Sequence, residues 1–161
     1  MVLPRGPAAL RLARLAALLV PAALLGGAYL SQYGFGLFPC EMCWWQRYPH
    51  FLALALAPLA LVLAGQRWPV ALAALAIAVS GAIGAYHAGV EYHWWEGLTR
   101  CTSNVRPGSG DLLKAILDAP LIRCDQAQWT LFGISLAGFN FLISTGGAAL
   151  VALLLLRSGK D

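Results

Sequence analysis

Cys40-Glu41-Met42-Cys43 sets two thiols three residues apart, and Arg47 follows one helical turn after Cys43. Two further cysteines, Cys101 and Cys124, lie in the only long polar stretch of the chain. A short Cys-x-x-Cys pair tends to lower a thiol pKa, and the thiolate is the reactive form. Two separate pairs at one surface can hand a disulfide from one to the other. A helix that begins near Trp45 or Gln46 puts Cys43 at its N-terminus, where the macrodipole favours an anion. The four-residue spacing to Arg47 places both side chains on one face, and both effects favour the Cys43 thiolate. Pro49 then falls in or just after the first turn, where a missing N–H costs least.

The elements that position these residues are membrane spans. Of 161 residues, 60% are hydrophobic and 11% charged, against about 25% charged in an average soluble domain. A soluble chain of this length has no means of burying that much apolar surface. Stretches of about 20 apolar residues span a bilayer core, and four approach that length: 15–30, 45–64, 70–88 and 131–156. The expected fold is an all-α membrane protein, one domain over 1–161, with four transmembrane helices in a bundle. A tight turn at Gln66-Arg67 joins the second and third spans. Arg5, Arg11 and Arg14 precede the first span, Arg67 lies in that turn, and Arg157 and Lys160 follow the last. Glu41, Glu91, Glu96, Asp111, Asp118 and Asp125 fall on the opposite side. The positive-inside rule then places both termini in the cytoplasm, and the loops 31–44 and 89–130 outside. Three arginines followed by an apolar run and Gly26-Gly27-Ala28 also resemble a cleavable signal peptide; a retained span is expected, because three helices make a poorer closed bundle. The formal charge of +4 is scattered along the chain, which is not the footprint of a nucleic-acid binder.

Within the second outer loop, Leu112, Leu113, Ile116 and Leu117 share one helical face, and Pro120 ends the pattern. That segment reads as a short amphipathic helix on the membrane surface, or as a cap over the bundle end. Ser80, Gly84 and Ala88 form a small-residue stripe that lets helices approach closely. Asn140, Ser144 and Thr145 read as interhelical hydrogen-bonders. Tyr33, Phe35, Phe38, Trp44, Trp45, Tyr48, Tyr92, Trp94, Trp95 and Trp129 form an interfacial belt, and several could wall a pocket for a flat ligand.

Electrons taken from a dithiol need an acceptor. The chain has no Gly-rich dinucleotide fingerprint and no Cys-x-x-Cys-His haem attachment, and His87 with His93 makes no obvious haem pair. Cys101 and Cys124 lack the second close spacing typical of all-cysteine zinc sites, so no metal is expected. A membrane-soluble quinone fits a reactive pair near bilayer depth beside a cation and aromatic rings.

The order Pro39-Cys40-x-x-Cys43, Gln46-Arg47, Cys101 in a long second loop, and Cys124-x-x-x-x-Trp129-x-x-x-Gly133 resembles the bacterial disulfide bond formation protein B (DsbB) family over nearly the whole chain. That resemblance implies an inner-membrane protein-disulfide oxidase with periplasmic cysteine loops. Cys101 would take a mixed disulfide with a DsbA-like thioredoxin-fold partner and release Cys124. Cys124 would attack Cys40 and free Cys43 toward ubiquinone or menaquinone. Arg47 would hold the quinone, with His87 and Glu91 as further candidates on the quinone side. A strongly oxidising partner sits near about −120 mV, so the acceptor must lie above it; a respiratory quinone does and a nicotinamide does not. Two alternatives share the pattern: a quinone-linked relative dedicated to one special substrate, and a non-enzymatic four-span scaffold with disulfide-braced outer loops.

Overall fold

The computed structural model describes residues 3–63, 66–98, 102–103 and 121–159. Cys101 and the expected amphipathic segment Leu112–Leu117 lie outside the described residues. Four helices dominate: α1 (Pro7–Gly34), α2 (Glu41–Val62), α3 (Trp68–Glu91) and α4 (Leu136–Arg157). Two short antiparallel ladders accompany them. β1 (Thr102–Ser103) pairs with β2 (Leu121–Ile122), and β3 (Thr130–Leu131) with β4 (Ile134–Ser135).

The helix bounds revise the sequence expectation at several ends. α1 begins at Pro7, whose fixed φ suits the first helical position, and runs for 28 residues. At 1.5 Å per residue that is about 42 Å, longer than a hydrocarbon core of about 30 Å. α2 begins at Glu41 rather than near Trp45, with Cys40 as its N-cap and the Cys43 N–H donating to Cys40 Sγ. Pro49 therefore lies in the helix interior, not in its first turn, and Pro58 lies further along. The expected fourth span loses its first residues to a hairpin. Phe132 and Gly133 both take positive φ, 51° and 76°, as the two central residues of a tight two-residue hairpin turn require. Ser135 then caps α4 by accepting from the Gly138 N–H.

α1, α3 and α4 are long and apolar enough to cross a membrane. α2 falls short of that measure because Glu41, Gln46, Arg47 and His50 occupy its first turns. α3 packs against α2 and α4, and α1 against the same two helices, so the four close into a bundle. The helices meet through small residues: Ala9, Ala13, Ala17, Ala53, Ala60, Ala73, Ala76 and Ala148 share a core with Val70, Ile77, Val151 and Leu154. Gly84 is part of this close approach, since a Cβ there would lie 3.0 Å from Ala137 O and Phe141 N on α4. The stripe is not packing alone, because Ser80 donates to the Gln46 carbonyl at 2.8 Å. A second, smaller core gathers Cys40, Met42, Val90, Ile122 and Cys124 at the other end of α2 and α3.

Candidate active site

Cys40 and Cys43 place their Sγ atoms 3.0 Å apart at the start of α2. The N-cap position aims the Cys40 sulfur back at the first-turn amides, and the three-residue spacing brings Cys43 over it. Cys124 joins them after β2: a side-chain hydrogen bond with Cys124 is the largest influence pushing the Cys40 thiol up, with a second from Cys43. Cys40 and Cys124 are buried. Three of the four expected cysteines therefore meet at one point, while Cys101 lies outside the described residues.

His87 reaches the same point from α3. Its Nε2 lies 3.5 Å from Cys40 Sγ and 3.7 Å from Glu91 Oε1, and its Nδ1 lies 2.8 Å from Gln46 Nε2. Gln46 Nε2 also donates to the Met42 carbonyl, which fixes that atom as the amide nitrogen. His87 Nδ1 is then an acceptor and, in the neutral ring, Nε2 carries the proton, with Cys40 Sγ, Glu91 Oε1 and the Cys124 backbone as its neighbours. The ligand-type atoms of Cys40, Cys43 and His87 lie within 4.8 Å of one another. His93, by contrast, is an exposed residue in the turn after α3 with φ 58°.

Arg47 lies one turn beyond Cys43 as expected, but its guanidinium turns toward α1. Nη1 donates to Gln32 Oε1 at 2.7 Å and Nη2 to the Ala28 carbonyl at 3.3 Å. The rings of Tyr29 and Trp44 cover it at 5.0 and 4.8 Å. The residue is 6% exposed, so it does not snorkel to water, and among the described residues no carboxylate pairs with it. A buried cation without a counter-anion is costly. It is also a standing attraction for negative charge developing nearby.

These groups share one cavity of ≈ 320 Å³, within the usual range for small-molecule sites. Cys40, Cys43, Arg47, His87 and Glu91 line it alongside apolar residues of α1 and α4. Of the aromatic belt, Phe38 and Trp129 are among its walls; Trp95 instead packs on Gly89, where a Cβ would lie 2.0 Å from its ring. Two buried atoms of lining residues, Glu91 Oε2 and His50 Nδ1, have no hydrogen-bond partner among the described residues.

Sequence reasoning predicts hydrogen-bonding by Asn140 and Ser144 but misses the polar layer they form with His50, Gln46 and Ser80 at the cavity. Asn140 on α4 donates to Gln46 Oε1 at 2.8 Å and to the Ser80 carbonyl at 3.1 Å, and its Oδ1 faces His50 Nε2 at 3.0 Å. Ser144 donates to the same Oδ1 at 2.9 Å. Asn140 and Ser144 are thus interhelical hydrogen-bonders, as expected; Thr145 lies against Gly81. His50 and Gln46 had a usable signal: ionisable and amide side chains inside a span are rare and mark functional paths.

A family model described as disulfide bond formation protein DsbB matches residues 10–154. The chain is 25% identical over 125 residues to "Uncharacterized protein RP370" of Rickettsia prowazekii (strain Madrid E), covering 74% of this chain and 73% of that protein. No solved structure gives a significant match.

Proposed function

We propose, for a chain that belongs to the disulfide bond formation protein DsbB family, that it reoxidises a periplasmic DsbA-like thioredoxin-fold dithiol and passes the electrons to membrane quinone. The observation that carries this reading is the convergence of Cys40, Cys43 and Cys124 beside a cavity that also holds a buried Arg47 with no carboxylate partner among the described residues. All four helices, α2 included, would then cross the inner membrane. Both termini would be cytoplasmic and the cysteine loops periplasmic, as the arginine asymmetry supports.

The residues have distinct tasks. The partner's thiolate attacks Cys101 of a Cys101–Cys124 disulfide, and the electron pair of that bond leaves with Cys124. Cys124 then attacks Cys40; the Cys40–Cys43 bond breaks, a Cys124–Cys40 bond forms, and Cys43 departs as thiolate. When the partner's second thiol resolves the mixed disulfide, Cys101 returns to Cys124 and leaves Cys40 reduced beside Cys43. Exchange of this kind needs an attacking sulfur that can reach its target disulfide, and the Cys124–Cys40 contact supports that approach. The cavity fits a quinone head group in volume and in its apolar walls, with Arg47, His87 and Glu91 among the polar groups that would hold it. A quinone supplies the acceptor for two electrons and two protons. Arg47 would stabilise negative charge developing on a ligand in the cavity, and its planar fork would do so better than an ammonium. The segment Leu112–Leu117 would tether the second loop to the bilayer surface and keep its cysteines near Cys40.

The test is reconstitution of the purified protein in lipid with a reduced thioredoxin-fold partner and a short-chain quinone. Quinone-dependent oxidation of the partner, lost on Cys124→Ser, is the expected result; no quinone dependence would overturn it. The close grouping of Cys40, Cys43 and His87 favours one second reading, a soft divalent metal held by the reduced thiols. Metal analysis of the reduced protein separates the two, since a stoichiometric, inhibitory ion belongs only to the second.

A further inference from the structure

His50 stands one turn deeper in α2 than Arg47, and nothing in the disulfide relay uses it. It is 3% exposed, lines the cavity, and has an Nδ1 without a partner among the described residues. Its other nitrogen is fully engaged. Asn140 Nδ2 donates to the Ser80 carbonyl, so Asn140 Oδ1 is the oxygen that faces His50 Nε2 at 3.0 Å. An oxygen there demands a proton on Nε2. Ser80 Oγ and Ser144 Oγ, at 2.9 and 3.4 Å from Nε2, hold the ring in place. In the neutral ring Nδ1 is consequently a bare acceptor.

From His50 the hydrogen bonds run in one sense. Nε2 donates to Asn140, Asn140 donates to Gln46 Oε1, and Gln46 donates to His87 Nδ1. His87 Nε2 faces Cys40 Sγ, and Cys40 Sγ donates to Cys43 Sγ. Each group that accepts more strongly becomes a better donor to the next, so such a chain is cooperative. Its two ends, His50 Nδ1 and the Cys43 sulfur, both belong to residues of the same cavity. The two amides polarise without passing protons, so the chain transmits hydrogen-bond strength and not a proton.

We propose that His50 is a ligand-binding residue of the cavity whose Nδ1 accepts a hydrogen bond from the hydroxyl of a hydroquinone. An oxidised quinone offers only carbonyl acceptors and gains nothing from a bare lone pair. The residue therefore discriminates the reduced from the oxidised ligand, and its occupied state strengthens the His87 donor among the cysteines. This rests on the quinone reading of the cavity given above.

The test is equilibrium binding of a short-chain hydroquinone and its quinone to the full-length protein, in a Cys43→Ser background under anaerobic conditions so that no electrons move. His50→Gln keeps a donor near the Nε2 position and removes the acceptor at Nδ1; His50→Asn keeps an acceptor where Nδ1 stands. Both replacements are polar, which spares the buried layer an apolar gap. His50→Gln is expected to weaken hydroquinone binding about tenfold, the worth of one buried hydrogen bond, and to change quinone binding less than about twofold. His50→Asn is expected to retain the hydroquinone preference. Equal losses for both ligands in His50→Gln, or no loss at all, would overturn the assignment of His50 while leaving the quinone site standing. Failure of the parent protein to bind either form would overturn the quinone reading and this inference together.

Discussion

The two ends of the bundle solve the same problem, how helices meet in a bilayer, with opposite materials. Toward the termini, alanines of all four helices pack around Val70, Ile77 and Val151. There Arg67 donates to the Leu155 and Gly159 carbonyls and to Ser158 Oγ, closing backbone acceptors that a helix C-terminus leaves open. Toward the cysteines, Gln46, His50, Ser80, His87, Asn140 and Ser144 are joined across α2, α3 and α4. Arg47, on α2 at that end, meets an amide, a mid-helix carbonyl and two ring faces instead of an open helix end. Arg67 is thus accounted for by the backbone it satisfies, whereas Arg47 and the polar layer hold unspent capacity beside a cavity. One end closes on itself; the other leaves polar side chains around a cavity.

The comparison breaks most sharply at the cysteines. Cys40→Ser, Cys43→Ser, Cys101→Ser and Cys124→Ser should each reduce quinone-linked partner oxidation to background, with helical circular dichroism unchanged. Arg67→Gln, an equal insult to the other end, should keep turnover near the parent value. Wild-type-like oxidation in any cysteine variant would remove the relay. Next in size is Arg47→Gln, which should raise the apparent quinone Michaelis constant by about 10- to 100-fold, the scale of one charge-assisted hydrogen bond. Arg47→Lys should fall between, since it keeps the charge and loses the fork. Steady-state titration of quinone at saturating partner measures both, and an unchanged Michaelis constant would reduce Arg47 to a bridge between α1 and α2.

Much of this was legible in the sequence, for identifiable reasons. Cys40, Cys43, Arg47 and Cys124 announce themselves by chemistry and spacing, and the Ala-rich spans by length. The start of α2 was not legible, because cysteine at an N-cap lacks the statistical signature of Ser, Thr, Asp or Asn. The hairpin before α4 was hidden because Phe132 takes a positive φ that bulky residues rarely adopt. His50 passed as part of an apolar run. Only the tertiary placement of Asn140 and Ser80 reveals which of its nitrogens is engaged.

Close helix approach supplies a prediction about stability rather than turnover. A Cβ at Gly84 would lie 3.0 Å from Ala137 O, Asn140 Nδ2 and Phe141 N, backbone and amide atoms that yield little. Gly84→Val should destabilise the bundle by about 1–3 kcal/mol, read as a lower Tm in detergent. Gly146→Ala, with nothing within 4 Å of the added carbon, should be neutral or slightly stabilising, since alanine is the better helix former. Equal melting of the two variants would mean that α3 and α4 are not pressed together at Gly84.

The smallest expected effect tests whether the cysteine end extends into its loop. Arg123 and Asp125 flank Cys124 and form a two-pronged pair, Nε to Oδ1 at 2.8 Å and Nη2 to Oδ2 at 2.5 Å. The hydrogen bonds from Arg123 hold the Asp125 carboxyl below its usual range. A carboxyl lowered in the folded state stabilises above its unfolded value, and that contribution is lost as pH falls through the folded value. Both side chains are over a third exposed, 39% and 38%, so solvent screening limits the pair to about 0.5 kcal/mol or less. Asp125→Asn should therefore lower Tm slightly at pH 7, and the difference from the parent should vanish in acid. If the pair instead positions Cys124, the same variant slows disulfide passage from Cys40–Cys43 to the second-loop pair by more than its Tm explains. Rapid-mixing rates for that step, set beside the melts, decide between the two: a rate that tracks stability leaves the pair a surface clasp, and a larger drop makes it part of the site.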